Sequence, residues 1–261
     1  MLPPLLAGAG WDGVLLIFPA SSSNPLPTSP CTQGEEPETQ EPDLNSSIEH
    51  KQQQIETTMR LAPVIPVVVI DDARAAVPMA RALVAGGTPA IEVTLRTPAA
   101  LEAIRAIAAE VEGAVIGVGT VLSARDLQAA QQAGARFAVS PGVSPYLLDA
   151  ADDCELPLLP GAATASEVMS LLERGYRYLK FFPAVPAGGH KLLGAWASPL
   201  PQLRFCPTGG ISLANAADFL ALPNVICVGG SWLTPADKLV AGDWSGIELL
   251  AREAAGLRQP A

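Results

Sequence analysis

From residue 62 onward the chain alternates two patterns. Short β-branched apolar runs, "VIPVVVI", "AIEVTLR", "AVIGVGTV", "RFAVSPG", "LPLLPGA", "YLKFFPA", "RFCPTGG" and "VICVGGSW", are separated by Ala-rich stretches with helical spacing. The runs recur about every 20 to 26 residues, the length of one strand, one helix and two short loops. Thr97 followed by Pro98 reads as a helix N-cap with proline at the first helical position, and Ser123 to Asp126 and Thr164 to Glu167 read as capping boxes. Gly86, Gly113, Gly134 and Gly175 fall where helix C-caps are expected. Strict alternation of strand and helix predicts a parallel sheet. Eight such units close naturally into a (βα)8 TIM barrel, at roughly 200 residues a small one. The alternative is an open doubly wound sheet, which would call for a nucleotide fingerprint after the first strand; none is present.

The pattern is absent before residue 59. Residues 20–58 are rich in Ser, Pro, Glu, Gln and Thr with few large apolar side chains, too little to offset the entropy of ordering. The expected organisation is a disordered acidic extension over 1–58 and a barrel domain over 59–261. A start codon read upstream of the folded part would equally explain the extension. At 261 residues and 49% hydrophobic, the chain is long enough for one large core.

Charge then narrows the partners. The net charge is −10, but residues 1–58 hold eight acids and one lysine, which leaves the rest close to balance at −3. No basic stripe exists to neutralise a phosphate backbone, so a nucleic-acid partner is not expected. Cys31, Cys154, Cys206 and Cys227 form no CxxC pair, and the last two lie inside apolar runs, which reads as buried thiols in a reducing cytoplasm. His50 and His190 are the only histidines, so no metal or other cofactor is called for. "VLLIFPA" is too short for a membrane span and lacks the basic flank of a secretory signal, and the acidity of the extension argues against a transit peptide. The expectation is a cytoplasmic protein acting on a small molecule.

In a parallel barrel the chemistry sits at the carboxyl ends of the strands. In the second run Ile91, Val93 and Leu95 share one face and Glu92, Thr94 and Arg96 the other. The apolar face must pack on the helices, which sends the polar one into the barrel; an internal Glu92–Arg96 ion pair is the plain structural alternative. In the sixth run Leu179 and Phe181 face the helices, so Lys180 points inward. Desolvation beside Phe182 and proximity to Arg96 would both disfavour its ammonium form. A neutral amine can form a Schiff base with a ketone or 2-oxo acid, unless the side chain only snorkels to the rim.

"TGGIS" and "GGSW" end the seventh and eighth runs, where barrels often hold phosphate on glycine amides. Thr208, Gly209, Gly210, Gly229, Gly230 and Ser231 form the candidate cradle, with tight turns as the alternative. Thr120 and Pro141 close the third and fourth runs, as site residues or as turn formers. His190 reads as surface-exposed, and the Asp pairs at 71–72 and 152–153 as solvated helix-terminal charges.

Taken together, "PVIPV", "VPMARALVAGG", "IEVTLRT", "GVGTVL", "SPG", "KFFPA", "RFCPTGGI" and "GGSWL" resemble the 2-dehydro-3-deoxy-phosphogluconate (KDPG) aldolases, a family overlapping the 4-hydroxy-2-oxoglutarate (KHG) aldolases, over about residues 62 to 256. The resemblance implies a class I aldolase on a (βα)8 barrel, a homotrimer needing no metal. It implies cleavage of a phosphorylated 2-oxo acid to pyruvate and glyceraldehyde 3-phosphate. Lys180 matches the Schiff-base lysine and Glu92 the acid/base carboxylate. Arg96, Thr120 and Pro141 match contacts to the pyruvate part, and "TGGI" and "GGSW" match the phosphate end. Family members begin near residues 45 to 60 of this chain, so the extension has no counterpart. Two rivals remain: another phosphate-binding barrel, such as an isomerase or metal-dependent lyase, and a non-catalytic phosphosugar-binding protein.

Overall fold

The computed structural model describes residues 44–257. The part of the expected disordered extension before residue 44 lies outside them. The strands are β1 (Val64–Val68), β2 (Ala90–Thr94), β3 (Val115–Gly119), β4 (Phe137–Val139), β5 (Leu158–Leu159), β6 (Gly161–Ala162), β7 (Tyr178–Phe181), β8 (Arg204–Pro207) and β9 (Val228–Gly230). The helices are α1 (Leu44–Met59), α2 (Ala76–Ala85), α3 (Ala100–Glu110), α4 (Ala124–Gln132), α5 (Pro145–Asp153), α6 (Ala165–Glu173), α7 (Gly189–Ala195), α8 (Ala216–Leu220), α9 (Ala236–Ala241) and α10 (Trp244–Ala255).

This is an α/β fold in which every strand pairing is parallel. The ladder runs β5-β4-β3-β2-β1-β9 in one curled sheet and β6-β7-β8 in another, so the expected eight-stranded ring is written as two arcs. Two local causes account for the breaks. The fifth run is split at Pro160, which has no N–H to donate. Residues before it pair with β4 (Val139 opposite Leu159), and residues after it pair with β7 (Gly161 opposite Lys180). At the other break, β8 meets the last strand through isolated bridges, Phe205 to Val225 and Thr208 to Gly229. Between those bridges the last strand has one residue more than β8, so a regular ladder cannot form there.

Period-two alternation sorts the core into two clusters. Outward residues such as Val68, Ile91, Val93, Val118, Leu179 and Phe181 pack with the helices. Inward residues Ile65, Ala90, Phe137, Val139, Leu159, Cys206 and Cys227 pack on one another, and Ile55 and Met59 of α1 close over them. Phe137 reaches across the interior because Gly117 has no side chain: a Cβ there would lie 2.3 Å from the ring. Cys206 and Cys227 are buried as expected, and burial pushes the Cys227 thiol well above its ordinary range.

Helix α1 corrects the expected boundary, because residues 44–59 belong to the folded unit. Ile48, Gln52, Ile55 and Met59 recur at helical spacing, but with a single fully apolar side chain per turn the stripe is faint. Its polar members act on backbone. Lys51 Nζ donates to the Ala151 and Asp152 carbonyls at 3.0 and 2.7 Å, satisfying the open end of α5. Gln52 Oε1 accepts from the Arg177 and Tyr178 amides at 2.7 and 3.1 Å, at the start of β7.

The helix starts follow the sequence in most places. Thr164 and Glu167 form a full capping box, and the Ala163 and Thr164 amides hold the Glu167 carboxyl below its ordinary range. Ser123 caps α4, but Asp126 reaches back to the Leu122 amide instead of closing the box. Thr97 does not cap α3, which begins at Ala100. The Thr97 hydroxyl bonds the Ile70 carbonyl, tying the turn after β2 to the end of β1. His190 is half-buried rather than exposed, edge-on to the Phe219 ring at 5.8 Å. Asp72 caps a 3-10 turn and pairs with Arg74, and Asp152 pairs with Arg174 at 3.1 Å.

Ile55→Ala should lower unfolding free energy by about 2–5 kcal/mol in urea titrations, the range for truncating a fully buried aliphatic side chain. A chain begun at Arg60 should lose cooperative unfolding altogether, since the inward cluster would then lie open to water.

Candidate active site

Lys180 and Glu92 meet inside the parallel sheet. Each is 4% exposed, and Nζ lies 3.1 Å from Oε1 and 3.5 Å from Oε2 of the carboxylate. The alternation of β2 and β7 puts them there: their neighbours Ile91, Val93, Leu179 and Phe181 face the helices, so Glu92 and Lys180 have only the interior to occupy. Space for the carboxylate comes from Gly119 on β3, where a Cβ would fall 2.2 Å from Glu92 Oε1. The Phe182 ring centroid lies 5.3 Å from Nζ, close enough for its face to stabilise the cation.

Both plain alternatives for this pair fail. Lys180 is buried and does not snorkel to the rim, and Glu92 takes Lys180 as its partner instead of Arg96. Arg96 lies past the end of β2 in an exposed turn and makes no ion pair among the described residues. The groups facing Nζ are thus a carboxylate and a ring face, and not the guanidinium expected from the sequence. A buried pair of this kind is weak evidence for stability, since desolvation costs several kcal/mol per ion. A buried, hydrogen-bonded pair of this kind inside a parallel sheet is the candidate for chemistry.

The remaining candidates line the carboxyl ends of the neighbouring strands. Thr94, one inward position above Glu92, is fully buried and donates to the Val68 carbonyl at 2.9 Å. Thr120 follows β3 at φ 62°, a backbone state that a β-branched residue occupies only against strain of about 1–3 kcal/mol. Its turn is held by the Val121 amide donating to the Val139 carbonyl at 3.1 Å, which brings the ends of β3 and β4 together. Pro141 follows β4, and its carbonyl would lie 2.4 Å from a Cβ at Gly161, so Gly161 is what lets that loop close over β6.

At the ends of β8 and β9, Thr208 is buried with its hydroxyl over Gly229, where a Cβ would meet Oγ1 at 2.2 Å. Gly209 and Gly210 take φ values of 100° and 78°, which only glycine adopts at low cost. The Asn215 side chain pins this loop, accepting from the Ser212 amide at 2.9 Å and donating to the Gly210 carbonyl at 3.0 Å. Among the described residues, the amides of Gly209, Gly210 and Ser231 have no backbone acceptor. Gly230 is overlain by the Trp232 ring. Two half-rims of free amides at adjacent strand ends suit an anion.

Reading the sequence picked out the charged residues but missed the small ones that make room for them. Gly117 and Gly119 share the inward face of β3 at period two, and that spacing, beside a strand carrying Glu92, was the available signal. Among the described residues no group of three or more His, Cys, Asp or Glu side chains is placed to hold a metal ion.

An aldolase family model, KDPG and KHG aldolase, matches residues 55–250. The KHG/KDPG aldolase of Escherichia coli K12 is 54% identical over 199 residues, covering 76% of this chain and 93% of that one. Among solved structures, the 2-keto-3-deoxy-6-phosphogluconate aldolase of Zymomonas mobilis with 3-phosphoglycerate superposes with a TM-score of 0.77 at 50% identity, over 80% of this chain and 99% of that one. The KDPG aldolase of Legionella pneumophila, with pyruvate captured as a covalent carbinolamine intermediate, gives 0.75 at 45% identity, over 76% and 97%.

Removing one member of the buried pair should be far worse than removing both. Glu92→Gln or Lys180→Met alone should cost about 3–5 kcal/mol in urea unfolding, while Glu92→Leu with Lys180→Met should recover most of that loss or exceed the parent. Additive losses would mean the two charges do not interact.

Proposed function

The chain belongs to the KDPG and KHG aldolase family, and from that membership we propose that it cleaves 2-dehydro-3-deoxy-6-phosphogluconate to pyruvate and glyceraldehyde 3-phosphate through a Schiff base on Lys180. The observation that carries this reading is the buried contact of 3.1 Å between Lys180 Nζ and Glu92. It supplies a nucleophile and its proton acceptor in one place, out of water.

As the substrate displaces water, Lys180 passes a proton to Glu92 and the free amine adds to the C2 ketone. Glu92, directly or through a water, returns a proton to the departing hydroxyl, and loss of water leaves an iminium. Glu92 or a water it orients then takes the C4 hydroxyl proton. The C3–C4 bond breaks, its electrons move into the iminium to give an enamine, and the aldehyde leaves. Protonation at C3 and addition of water release pyruvate and restore the amine.

The other assignments follow the same reading. Arg96, on its turn at the mouth, offers a planar fork to the substrate carboxylate, with Thr120 and Pro141 beside the pyruvate part. Thr208, Gly209, Gly210, Gly229, Gly230 and Ser231 take the phosphate, a reading supported by the amides of Gly209, Gly210 and Ser231, which donate to no backbone carbonyl among the described residues. Cleavage of 4-hydroxy-2-oxoglutarate to pyruvate and glyoxylate belongs to this proposal as a second activity. So does closure of the two arcs into one eight-stranded barrel, supported by the continuous chain through Pro160 and by the bridges between β8 and the last strand. A homotrimer in the cytoplasm is the assembly and place that family membership favours. Among the described residues, no helix is long and apolar enough to cross a membrane. The catalytic domain in this reading starts at α1, near residue 44.

Borohydride added during incubation with pyruvate should leave a stable pyruvate-derived mass increment on the peptide carrying Lys180, with none in Lys180→Met. Glu92→Gln should lose about 10²–10⁴-fold in kcat in a coupled pyruvate-release assay. Activity should survive EDTA. No pyruvate from either the phosphorylated or the KHG substrate would end the proposal.

A further inference from the structure

A cavity of about 500 Å³ opens beside the anion cradle, between the end of β1 and α9, with Ser231, Thr234, Asp71 and Asp72 in its lining. The rest of its wall is apolar, including Val67, Val69 and Leu239. Carboxylates beside a cradle for a phosphate dianion are a local conflict, and such conflicts tend to mark function.

The two acids are not equivalent. Asp72 is bound to Arg74 through its side chain at 2.6 Å and caps the turn that follows β1. Asp71 is exposed and makes no ion pair among the described residues. Among the described residues, no cation lines the cavity. The nearest lysine in sequence, Lys238 of α9, is taken by Asp243 at 2.5 Å. The cradle itself therefore offers neutral dipoles, and Asp71 shares a cavity with its Ser231. Asp71 follows Ile70, whose carbonyl is held by Thr97, so its position is tied to the scaffold rather than left to a free loop.

We propose that Asp71 is a specificity-determining residue that weakens the hold on the substrate's phosphate end and so narrows the gap between phosphorylated and unphosphorylated substrates. The inference rests on the aldolase reading above. It acts through space: its carboxylate opposes the phosphate charge across the cavity that it shares with Ser231.

The test uses the full chain with Asp71→Asn and Asp71→Lys. At low salt Asp71→Asn should lower KM for 2-dehydro-3-deoxy-6-phosphogluconate and the inhibition constant of inorganic phosphate by about three-fold, and Asp71→Lys by about ten-fold. Inhibition by pyruvate, which reports the nucleophile end, should not change, and about 0.3 M salt should erase most of the difference. Unchanged constants for the phosphorylated substrate and phosphate, or equal changes for pyruvate, would overturn the role of Asp71. Failure of the parent chain to release pyruvate at all would instead overturn the aldolase reading.

Discussion

A lysine and a glutamate buried against each other inside a small parallel sheet set the terms for everything around them. Two ions withdrawn from water cost several kcal/mol each, and attraction between them offsets this only with good geometry and little competing solvent. The surroundings supply both. Below the pair the interior is filled by Phe137, Val139, Leu159, Cys206 and Cys227 and closed by Ile55 and Met59. Beside it, the ring of Phe182 faces the ammonium. The inward column of β2 runs from apolar Ala90 through charged Glu92 to hydroxyl-bearing Thr94, while on β7 Lys180 follows Tyr178 and Phe182 comes just past the strand end.

The site owes as much to missing side chains as to those present. Glu92 stands where a Cβ of Gly119 would be, Thr208 where a Cβ of Gly229 would be, and the Pro141 loop closes over Gly161. Each glycine costs conformational entropy on folding, yet each lies where a neighbour with chemistry to perform needs room. Thr120 is the opposite case. It is a β-branched residue held at positive φ, and the surrounding turn must over-determine that state for it to persist.

Legibility followed burial. The eight runs, the parallel pairing and the inward direction of Glu92 and Lys180 could be read because period-two alternation leaves a side chain only two choices, and the apolar neighbours claimed one of them. The failures share a cause. Helix α1 was read as part of a disordered tail because its stripe is half polar, and the polar half bonds backbone groups of α5 and β7 that a sequence does not display. Arg96 continues the inward face of β2 on paper, but the strand ends at Thr94 and the alternation ends with it. Thr97 has the chemistry of a cap, and a carbonyl from β1 competes for its hydroxyl and wins. Pro160 splits the fifth run for a reason visible in its residue type, although which neighbour each half would take depended on the three-dimensional arrangement.

In the proposed function the two ends of the site use different physics, and their tasks explain why. The covalent end must change charge during turnover, so it needs titratable side chains in a dry setting where a proton passed over 3.1 Å alters reactivity. The distal end must hold a charge without exchanging protons, and fixed backbone dipoles do that without a buried cation to desolvate. A cation there would bind the product phosphate as tightly as the substrate phosphate, which gains nothing for a cleavage step. An amide cradle that shares a cavity with a carboxylate is a weaker grip. It leaves the commitment to substrate with the covalent bond at the other end, where the lysine, the glutamate and the space cut for them by Gly119 are all fixed by regular strands.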